Sequence, residues 1–317
     1  MDPISDILSH LDFAGMLYFS TEFSGDWGVR VPAYENVVRF HLVLRGECHV
    51  RIEGADAPCH IRQGDFLMIP HGAQHDLLAH PDARAPELET VLGDAGYDGK
   101  GQLIYKLRDD GAQTRLLCGH FSFSPQARRN HFLQTLPPFI LARELPHEAA
   151  AWLAATLNLL ATEADAPAPG NSIIVHRMTE VLFVQALRLW MQQESLPQGV
   201  LKAMGDPMIA RALRALHDDP ASHWTVESIA RNAGMSRTVF ADRFHSLTGT
   251  TPLKYLTGWR LEKARKMLQS GEQSVEGAAL SVGYQSTPPF SCAFSKFYGF
   301  GPGQARKQAD ADARTIG

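Results

Sequence analysis

The sequence lacks the features that mark membrane, secreted and disulfide-stabilised proteins. No apolar run approaches the roughly 18 residues that a membrane-spanning helix needs. The N-terminus has no basic segment followed by an apolar stretch, so we expect no secretory signal. The 4 cysteines in 317 residues form no C-x-x-C pair, which favours reduced thiols. These absences predict a cytoplasmic protein without a membrane partner.

Charge is divided unevenly along the chain. From Gly205 to Gly317 there are 14 Lys and Arg against 10 Asp and Glu, a net charge of +4. The preceding part has 16 basic and 24 acidic residues, a net charge of −8. A basic C-terminal part joined to an acidic N-terminal part is compatible with a nucleic-acid-binding domain attached to a different one.

Short β-rich runs fill the chain between residues 20 and 125. They are broken by Gly, Pro and Asp, as is typical of strands joined by tight turns. A stretch rich in Gly, Asp and Pro at 82–101 predicts a loop. From residue 148 the apolar spacing becomes helical and predicts two amphipathic helices that end by residue 194. The fold class is therefore α+β, with a strand-rich part followed by a helical part.

A repeat of about 50 residues occupies the C-terminal third of the chain. The matched positions are Val226 and Val275, Ala230 and Ala279, Gly234 and Gly283, Phe240 and Phe290, Phe244 and Phe294, Gly249 and Gly299, and Pro252 and Pro302. The spacing is 49 residues for the first three pairs and 50 for the others. Seven matches in the same order indicate two copies of one supersecondary unit.

Each copy has the pattern of a helix-turn-helix. A short helix ends at a glycine, a serine follows, and a second helix carries phenylalanines at i and i+4. The duplication argues against the alternative, an αα-hairpin in an ordinary bundle. A connector helix over Pro252–Leu268 would be about 25 Å long, which suits two recognition helices about 34 Å apart in successive major grooves. Asp206 and Pro207 predict the N-cap and first residue of the preceding helix.

These features carry a family resemblance. The segment "WTVESIARNAGMSRTVFADRFHSLTGTTPLKYLTGWRLEKARKMLQ", followed by "SVGYQSTPPFSCAFSKFYGFGP", resembles the C-terminal domain of AraC-type transcription regulators. The resemblance covers about 100 residues. It implies an all-α module of seven helices with two helix-turn-helix units that binds promoter DNA and acts with RNA polymerase.

The second helix of each unit is the expected recognition helix. The family pattern usually has Arg where this chain has Asp242 and Cys292, so we expect the first unit to read bases and the second mainly to position the protein. The candidate base-facing residues, with the serines that precede them, are Ser236, Arg237, Thr238, Ala241 and Asp242 in the first copy, and Ser286, Thr287, Pro288, Ser291 and Cys292 in the second. Candidate phosphate contacts are Arg243, Lys254 and Lys296, each of which could equally be a solvated charge.

Two prolines open the second recognition helix. Pro288 and Pro289 are tolerated there because the first N–H groups of a helix have no partner within it. A residue that precedes a proline avoids the α region. We therefore predict Thr287 as the N-cap, with its hydroxyl accepting from the Phe290 N–H. The prolines remove two donors that could hold a DNA phosphate.

The motif G-x5-P-x-G-x2-H lies in the strand-rich part, in "GDFLMIPHGAQH" from Gly64 to His75. It resembles the second motif of the cupin barrel. Together with "FHLVLRGE", "LLCGHFSF" and "LPPFILARE" it resembles the cupin-like sensor domain of one AraC-type subgroup, which includes a reactive-chlorine-responsive activator. The resemblance implies a cupin-like β-barrel with two trailing helices, which we expect to pair between the subunits of a homodimer.

The candidate sensor residues are His41, His75, Cys118 and His120. One hypothesis is a divalent metal at His41 and His75, with Cys118 or His120 as a further ligand. The alternative is ordinary hydrogen-bonded histidines, because no H-x-H spacing occurs. Cys118 is either a redox sensor, which requires a lowered pKa, or a small buried apolar residue. No cofactor follows from the sequence beyond this possible metal.

The chain is thus predicted to be a transcription regulator, and specifically an activator, that senses a small molecule or an oxidant. It is not predicted to be an enzyme. The predicted domains are a sensor and dimerisation domain over 1–194, a linker over 195–205, the double helix-turn-helix domain over 206–310 and a tail over 311–317. Two alternatives stay open: a metal-dependent cupin enzyme, which the missing H-x-H disfavours, and a family member that has lost specific DNA binding.

Overall fold

The computed structural model describes residues 2–11, 13–99, 101–108, 113–143, 168–192 and 196–307, and single residues between 152 and 163. Contacts divide the chain into two compact units. The barrel unit comprises Phe13–Phe123 and Pro137–Glu194, and the helical unit comprises Met1–Asp12, Ser124–Leu136 and Ser195–Gly317. The helical unit therefore includes two segments from the N-terminal part of the chain. The sequence analysis placed both segments in the sensor domain over 1–194. Those domain boundaries stay a prediction.

The barrel unit is built from two sheets. Its strands are β1 Ala14–Ser24, β2 Gly28–Val31, β3 Val37–Arg45, β4 Glu47–Ile52, β5 Cys59–Arg62, β6 Phe66–Ile69, β7 His75–Leu78, β8 Leu103–Lys106, β9 Gln113–Ser122 and β10 Ile140–Ala142. One sheet has the order β10-β6-β3-β9-β1-β8 and the other β2-β7-β4-β5. Buried side chains from both sheets form one core, among them Phe23, Leu67 and Leu116 from the first and Val50 and Leu77 from the second.

The loop predicted at 82–101 is wrong in its centre, where α2 spans Leu88–Asp94. Val91 is fully buried, and Leu88 and Leu92 pack against the barrel core. Apolar residues at i, i+3 and i+4 explain the helix, and the surrounding Gly and Asp residues obscure that pattern. Of the two predicted trailing helices, the second is α4, Asn171–Met191. The first lies largely outside the described residues.

The helical unit contains α1 Pro3–His10, a 3-10 helix Pro125–Arg129, α3 His131–Gln134, α5 Val200–Met204, α6 Pro207–Asp218, α7 Val226–Ala233, α8 Arg237–Thr248, α9 Pro252–Gln269, α10 Val275–Ser281 and α11 Thr287–Tyr298. The predicted cap of α6 is confirmed, because the Asp206 carboxylate accepts from the N–H groups of Met208 and Ile209. The segment predicted as a linker contains α5, whose Val200 and Leu201 are buried.

Polar contacts fix the two N-terminal segments within the helical unit. The Asp6 carboxylate on α1 lies 3.1 Å from the buried ring of His217 on α6. The Asn130 amide donates to Glu262 Oε2 on α9 at 2.7 Å. His131 Nε2 donates to the Thr248 carbonyl at the end of α8, at 2.8 Å. No helix in the described part of the chain is long and apolar enough to cross a membrane.

Candidate nucleic-acid interface and barrel cavity

The first helix-turn-helix comprises α7 and α8. A reciprocal capping box between Thr225 and Ser228 starts α7. Gly234 ends it with φ +73°, in the left-handed region that glycine enters without strain. Phe240 and Phe244 on α8 are fully buried, as their i, i+4 spacing predicted. The buried phenylalanines therefore hold the opposite face of α8 toward solvent.

The second helix-turn-helix, α10 and α11, repeats this design with a tighter turn. Gly283 has φ +88°, and a Cβ at this position would lie 2.4 Å from the Ala221 carbonyl oxygen. Gly234 has far more room, since the nearest atom to its Cβ position is 3.8 Å away. Phe290 and Phe294 are fully buried. The two turns share a backbone conformation, but only the second requires glycine for space as well.

The predicted start of α11 is one residue out. Ser286, not Thr287, is the N-cap, and no side-chain capping hydrogen bond is present among the described residues there. Thr287 is the first helical residue and is followed by Pro288 and Pro289. Proline fixes φ near −65°, which suits the first turn of a helix. The fixed φ of Pro288 and Pro289 favours helical geometry at this end of α11. This effect outweighs the tendency of Thr287, as the residue before a proline, to avoid the α region.

The structure places most of the predicted base-facing residues at the solvent face of the two recognition helices. Exposed side chains are those of Ser236, Arg237, Thr238, Asp242, Ser286, Pro288 and Cys292, while those of Ala241, Thr287 and Ser291 are half-buried. Each set lies on the first turn and a half of its helix, the part that reaches base edges in helix-turn-helix proteins. One face of each helix is thus available to DNA.

The predicted phosphate contacts fall into different surroundings. Arg243 Nε donates to the Asp206 carboxylate at 2.6 Å, so its guanidinium is held by the cap of α6. Lys254 is exposed on α9, where it lines a cavity with His131 and Glu262. Lys296 is exposed on the last turn of α11. Arg243 and Lys296 each share a helix with predicted base-facing residues. Arg243 is paired with Asp206, whereas Lys296 has no ion pair among the described residues.

In the barrel unit, three of the four predicted sensor residues meet. His41 on β3 and Cys118 on β9 are register partners in neighbouring strands, and His41 Nδ1 lies 3.2 Å from Cys118 Sγ. His41 Nε2 lies 2.7 Å from His75 Nε2. His75 Nδ1 lies 2.9 Å from the Ala73 carbonyl oxygen. All three side chains are buried.

The hydrogen-bond pattern assigns the protons. A carbonyl only accepts, so His75 Nδ1 carries a proton and donates to Ala73. Burial lowers the pKa of His75 to about 4 and holds the pKa of His41 well below its ordinary value, so both rings are neutral. His75 Nε2 therefore accepts from His41 Nε2–H, and His41 Nδ1 accepts from the Cys118 S–H. Burial raises the pKa of Cys118 to about 12, which keeps the thiol protonated.

These residues do not fit the hypothesised metal site. Cys118 faces His41 Nδ1, whereas His75 faces the opposite ring nitrogen, so the three donors do not converge on one point. His120 is half-buried farther along β9, and burial lowers its pKa to about 4. No group of three or more His, Cys, Asp or Glu side chains within the described ranges could hold a metal ion.

A cavity of about 200 Å³ opens beside His41 and Cys118. Its walls are mainly apolar and come from both sheets and α2: Phe23, Val29, Val31, Leu77, Leu88, Leu92 and Leu103. Its polar lining consists of Thr21, Tyr34, Arg39 and His41 with the thiol of Cys118. The Arg39 guanidinium lies 4.2 Å from the centre of the Tyr34 ring. Sequence reasoning missed Tyr34, Arg39 and α2, although the Leu88 and Leu92 spacing could have indicated the helix.

Comparison with protein families matches both parts of the chain. A cupin family model matches residues 2–192, and a helix-turn-helix domain model matches residues 229–308. These matches agree with the motifs found in the sequence.

Similar full-length proteins are described as transcription regulators. An AraC-like transcription regulator of Streptomyces lividans is 33% identical over 310 residues, covering 97% of this chain and 98% of that protein. The RCS-specific HTH-type transcriptional activator RclR of Escherichia coli K12 is 26% identical, covering 97% and 98%. The solved DNA-binding domain of the global transcriptional factor AdpA, in complex with a target DNA, is 31% identical with a TM-score of 0.32, covering 34% of this chain and 96% of that one.

Proposed function

The chain belongs to the family of AraC-like transcription regulators with an N-terminal cupin domain, and from this premise we propose that a small apolar molecule in the barrel cavity controls its binding to promoter DNA. The protein is a DNA-binding transcription regulator and not an enzyme. The cavity beside His41 and Cys118 carries the proposal, because it is mainly apolar, enclosed by both sheets and close to a chain of fixed hydrogen bonds.

We assign base recognition to the exposed starts of α8 and α11. Arg237 is the strongest candidate, because a guanidinium can donate two hydrogen bonds to guanine and this side chain is exposed at the first turn of α8. Asp242 can accept from the cytosine amino group. Lys296 and Arg243 are assigned to phosphates, and Arg243 would have to exchange the Asp206 carboxylate for a phosphate.

Replacing Arg237 with alanine should weaken specific DNA binding by about 1–3 kcal/mol, or roughly 5- to 150-fold. The measurement is fluorescence anisotropy on DNA from around the protein's own gene, with scrambled DNA as competitor. Arg231→Ala is the matched control, since Arg231 is also exposed but lies on α7, paired with Glu227.

Equal losses in both variants would contradict the assignment. If the wild-type protein bound both DNAs weakly and equally, only the sequence-independent electrostatic attraction would have been measured. The same result on a library of genomic fragments would mean that this protein has lost specific DNA recognition.

The protonated Cys118 thiol and the apolar cavity walls both favour a small apolar effector over an oxidant. Thiol oxidation begins from the thiolate, and the Cys118 thiol stays protonated because burial raises its pKa to about 12. A cavity of about 200 Å³ lined by leucine, valine and phenylalanine instead suits an apolar molecule, much as an engineered apolar cavity of about 150 Å³ binds benzene. The hydroxyl of Thr21 and the Arg39 guanidinium could bind one polar group on such a molecule.

Toluene at ten times its Kd should raise the free energy of unfolding of the barrel unit by about 1.4 kcal/mol, and with it the melting temperature. Val31→Phe should abolish the increase, because the added ring occupies the cavity that Val31 lines. Ile104→Phe is the control, since Ile104 neighbours the cavity-lining Leu103 but is itself 49% exposed. The measurement is the melting temperature with and without toluene.

An increase that survives in Val31→Phe would place toluene elsewhere and contradict the proposal. A loss of DNA binding on treatment with hydrogen peroxide that Cys118→Ser abolishes would favour oxidant sensing instead.

The remaining partners are also proposals. We propose a homodimer formed through α4, because Ile173 and Val181 on this helix are exposed by 60% and 41%. Large exposed apolar residues on one helix are typical of an interaction surface. Light scattering that finds only monomer at micromolar concentration would contradict it. We also propose contact with RNA polymerase at an activated promoter, on the ground of family membership.

A further inference from the structure

The turn of the second helix-turn-helix is one residue longer than the turn of the first. A single residue separates Gly234 from Ser236, whereas two residues separate Gly283 from Ser286. The repeat spacing therefore increases from 49 to 50 residues within the turn. The base contacts assigned above make no use of this additional residue.

Backbone hydrogen bonds identify the additional residue as Gln285. In the first unit the Met235 N–H donates to the Ala230 carbonyl. In the second unit the Tyr284 N–H donates to the Ala279 carbonyl in the same way. Because the two alanines are matched positions of the repeat, Met235 and Tyr284 correspond. Gln285 therefore has no counterpart in the first turn, and it directly precedes the N-cap of α11.

A fixed loop over residues 219–224, between α6 and α7, packs against the second turn. Its Ala221 carbonyl oxygen is the atom that leaves no space for a Cβ at Gly283. Arg260 on α9 donates to two other carbonyls of the loop, at 2.7 and 2.8 Å. The Trp224 indole N–H donates to a further one at 2.7 Å. The loop thus has a fixed position beside the start of α11.

His223 on this loop orients the side chain of Gln285. The Nε2 atom of His223 lies 3.3 Å from Nε2 of Gln285, and both side chains are exposed. An amide nitrogen only donates, so the histidine nitrogen accepts and the ring carries its proton on Nδ1. The amide of Gln285 keeps its oxygen and its second N–H, which form no hydrogen bond with the described residues. One donor and one acceptor are therefore presented to solvent in a defined orientation.

The first turns of α11 supply little else that distinguishes bases. Pro288 and Cys292 are exposed, but proline has no N–H and a thiol is a weak donor and a weak acceptor. Thr287 and Ser291 are half-buried, and a hydroxyl pairs with more than one base. A glutamine amide, in contrast, can form two hydrogen bonds with a single base. Gln285 is therefore the best-equipped side chain at this end of α11.

We propose that Gln285, oriented by His223, recognises an adenine in the major groove for the second helix-turn-helix unit. The Gln285 side-chain oxygen accepts from adenine N6, and the N–H that is not bound to His223 donates to adenine N7, which is the bidentate pairing of glutamine with this base. The inference rests on the proposed contact of α11 with DNA and adds a specificity-determining residue to it. The second unit then discriminates at one A·T base pair as well as positioning the protein.

Selection of binding sites from a random DNA library by the full-length protein, followed by sequencing, tests the proposal. Gln285→Ala should reduce the preference for adenine at one position by roughly 5- to 150-fold and preserve the rest of the wild-type motif. That position should lie about one helical turn, roughly 10 base pairs, from the position that Arg237→Ala alters. Gln304→Ala is the matched control, because Gln304 is also exposed in the helical unit but lies beyond α11. It should select the wild-type motif.

Two variants of His223 test its part as a positioning residue. His223→Leu should reduce the adenine preference about two- to tenfold, the effect of losing one hydrogen bond, without lowering the melting temperature. His223→Gln should retain the preference, because the new side-chain oxygen can accept from the same N–H of Gln285. If His223→Leu instead weakened binding to all sequences equally and reduced its salt dependence, His223 would contact a phosphate and its positioning role would be overturned.

The selected motifs also separate this inference from the proposed function. A wild-type motif that Gln285→Ala reproduces at every position would overturn the inference and leave base recognition by α8 intact. A wild-type protein that selects no motif would overturn the proposed base recognition, and this inference with it.

Discussion

Replacing Gly283 with alanine is expected to destabilise the second helix-turn-helix by about 3 kcal/mol or more. Two costs add. A residue with a side chain in the left-handed region loses about 1–2 kcal/mol, and Gly283 has φ +88°. The new Cβ would also lie 2.4 Å from the Ala221 carbonyl oxygen, which is backbone and cannot rotate away. The turn between α10 and α11 must therefore open or shift.

Gly234→Ala in the first turn is the matched control. Gly234 has φ +73°, but the nearest atom to its Cβ position is a flexible arginine terminus at 3.8 Å. We expect this variant to lose only the conformational cost of about 1–2 kcal/mol. Hydrogen exchange of the α11 amides in Gly283→Ala, compared with the α8 amides in Gly234→Ala, measures the difference. Equal protection losses would show that the contact with Ala221 is not what fixes the second turn.

DNA binding should follow the same asymmetry. Specific affinity should fall further in Gly283→Ala than in Gly234→Ala, because an opened turn leaves the start of α11 without a fixed position. If Gly283→Ala bound operator DNA as wild type does, the second unit would contribute neither base contacts nor positioning. The prediction that it positions the protein would then be wrong.

The helix-turn-helix units could be recognised from sequence because most of their determinants are local. The buried phenylalanines at i and i+4, the positive φ of each turn glycine and the Asp206 cap each act over a few residues, whereas the contact of Gly283 with Ala221 does not. A positive φ also holds for Gly72 in the barrel motif, at +62°. The repeat strengthens these local signals, because the same residue types recur at matched positions in both copies.

Other features depend on residues far apart in sequence. His41 and Cys118 are 77 positions apart, and the pairing of β3 with β9 brings them together. Asn130 and Glu262 are 132 positions apart, so the grouping of 124–136 with the C-terminal helices left no local pattern. Only the structure shows that the partner of Asn130 lies on α9 and that the partner of His131 is the last residue of α8.

The second large effect concerns the pH dependence of stability. Burial raises the pKa of Glu262 from its ordinary 4.5 to about 8, although the Arg265 charge and the Asn130 amide both act to lower it. Tyr255 and Tyr298 also interact electrostatically with this carboxyl group. The folded protein therefore holds the proton more tightly than the unfolded chain. The corresponding stability is present in full below pH 4.5 and is lost as the pH rises toward 8.

Glu262→Gln should remove this dependence, because glutamine is neutral throughout and its side-chain oxygen can still accept from Asn130. Between pH 5 and pH 8 we expect wild type to lose about 3 kcal/mol relative to the variant, at a limiting slope of about 1.4 kcal/mol per pH unit. Urea denaturation followed by tryptophan fluorescence, with Glu272→Gln as an exposed control, measures it. Parallel pH profiles for wild type and Glu262→Gln would mean that Glu262 is ionised in the folded protein.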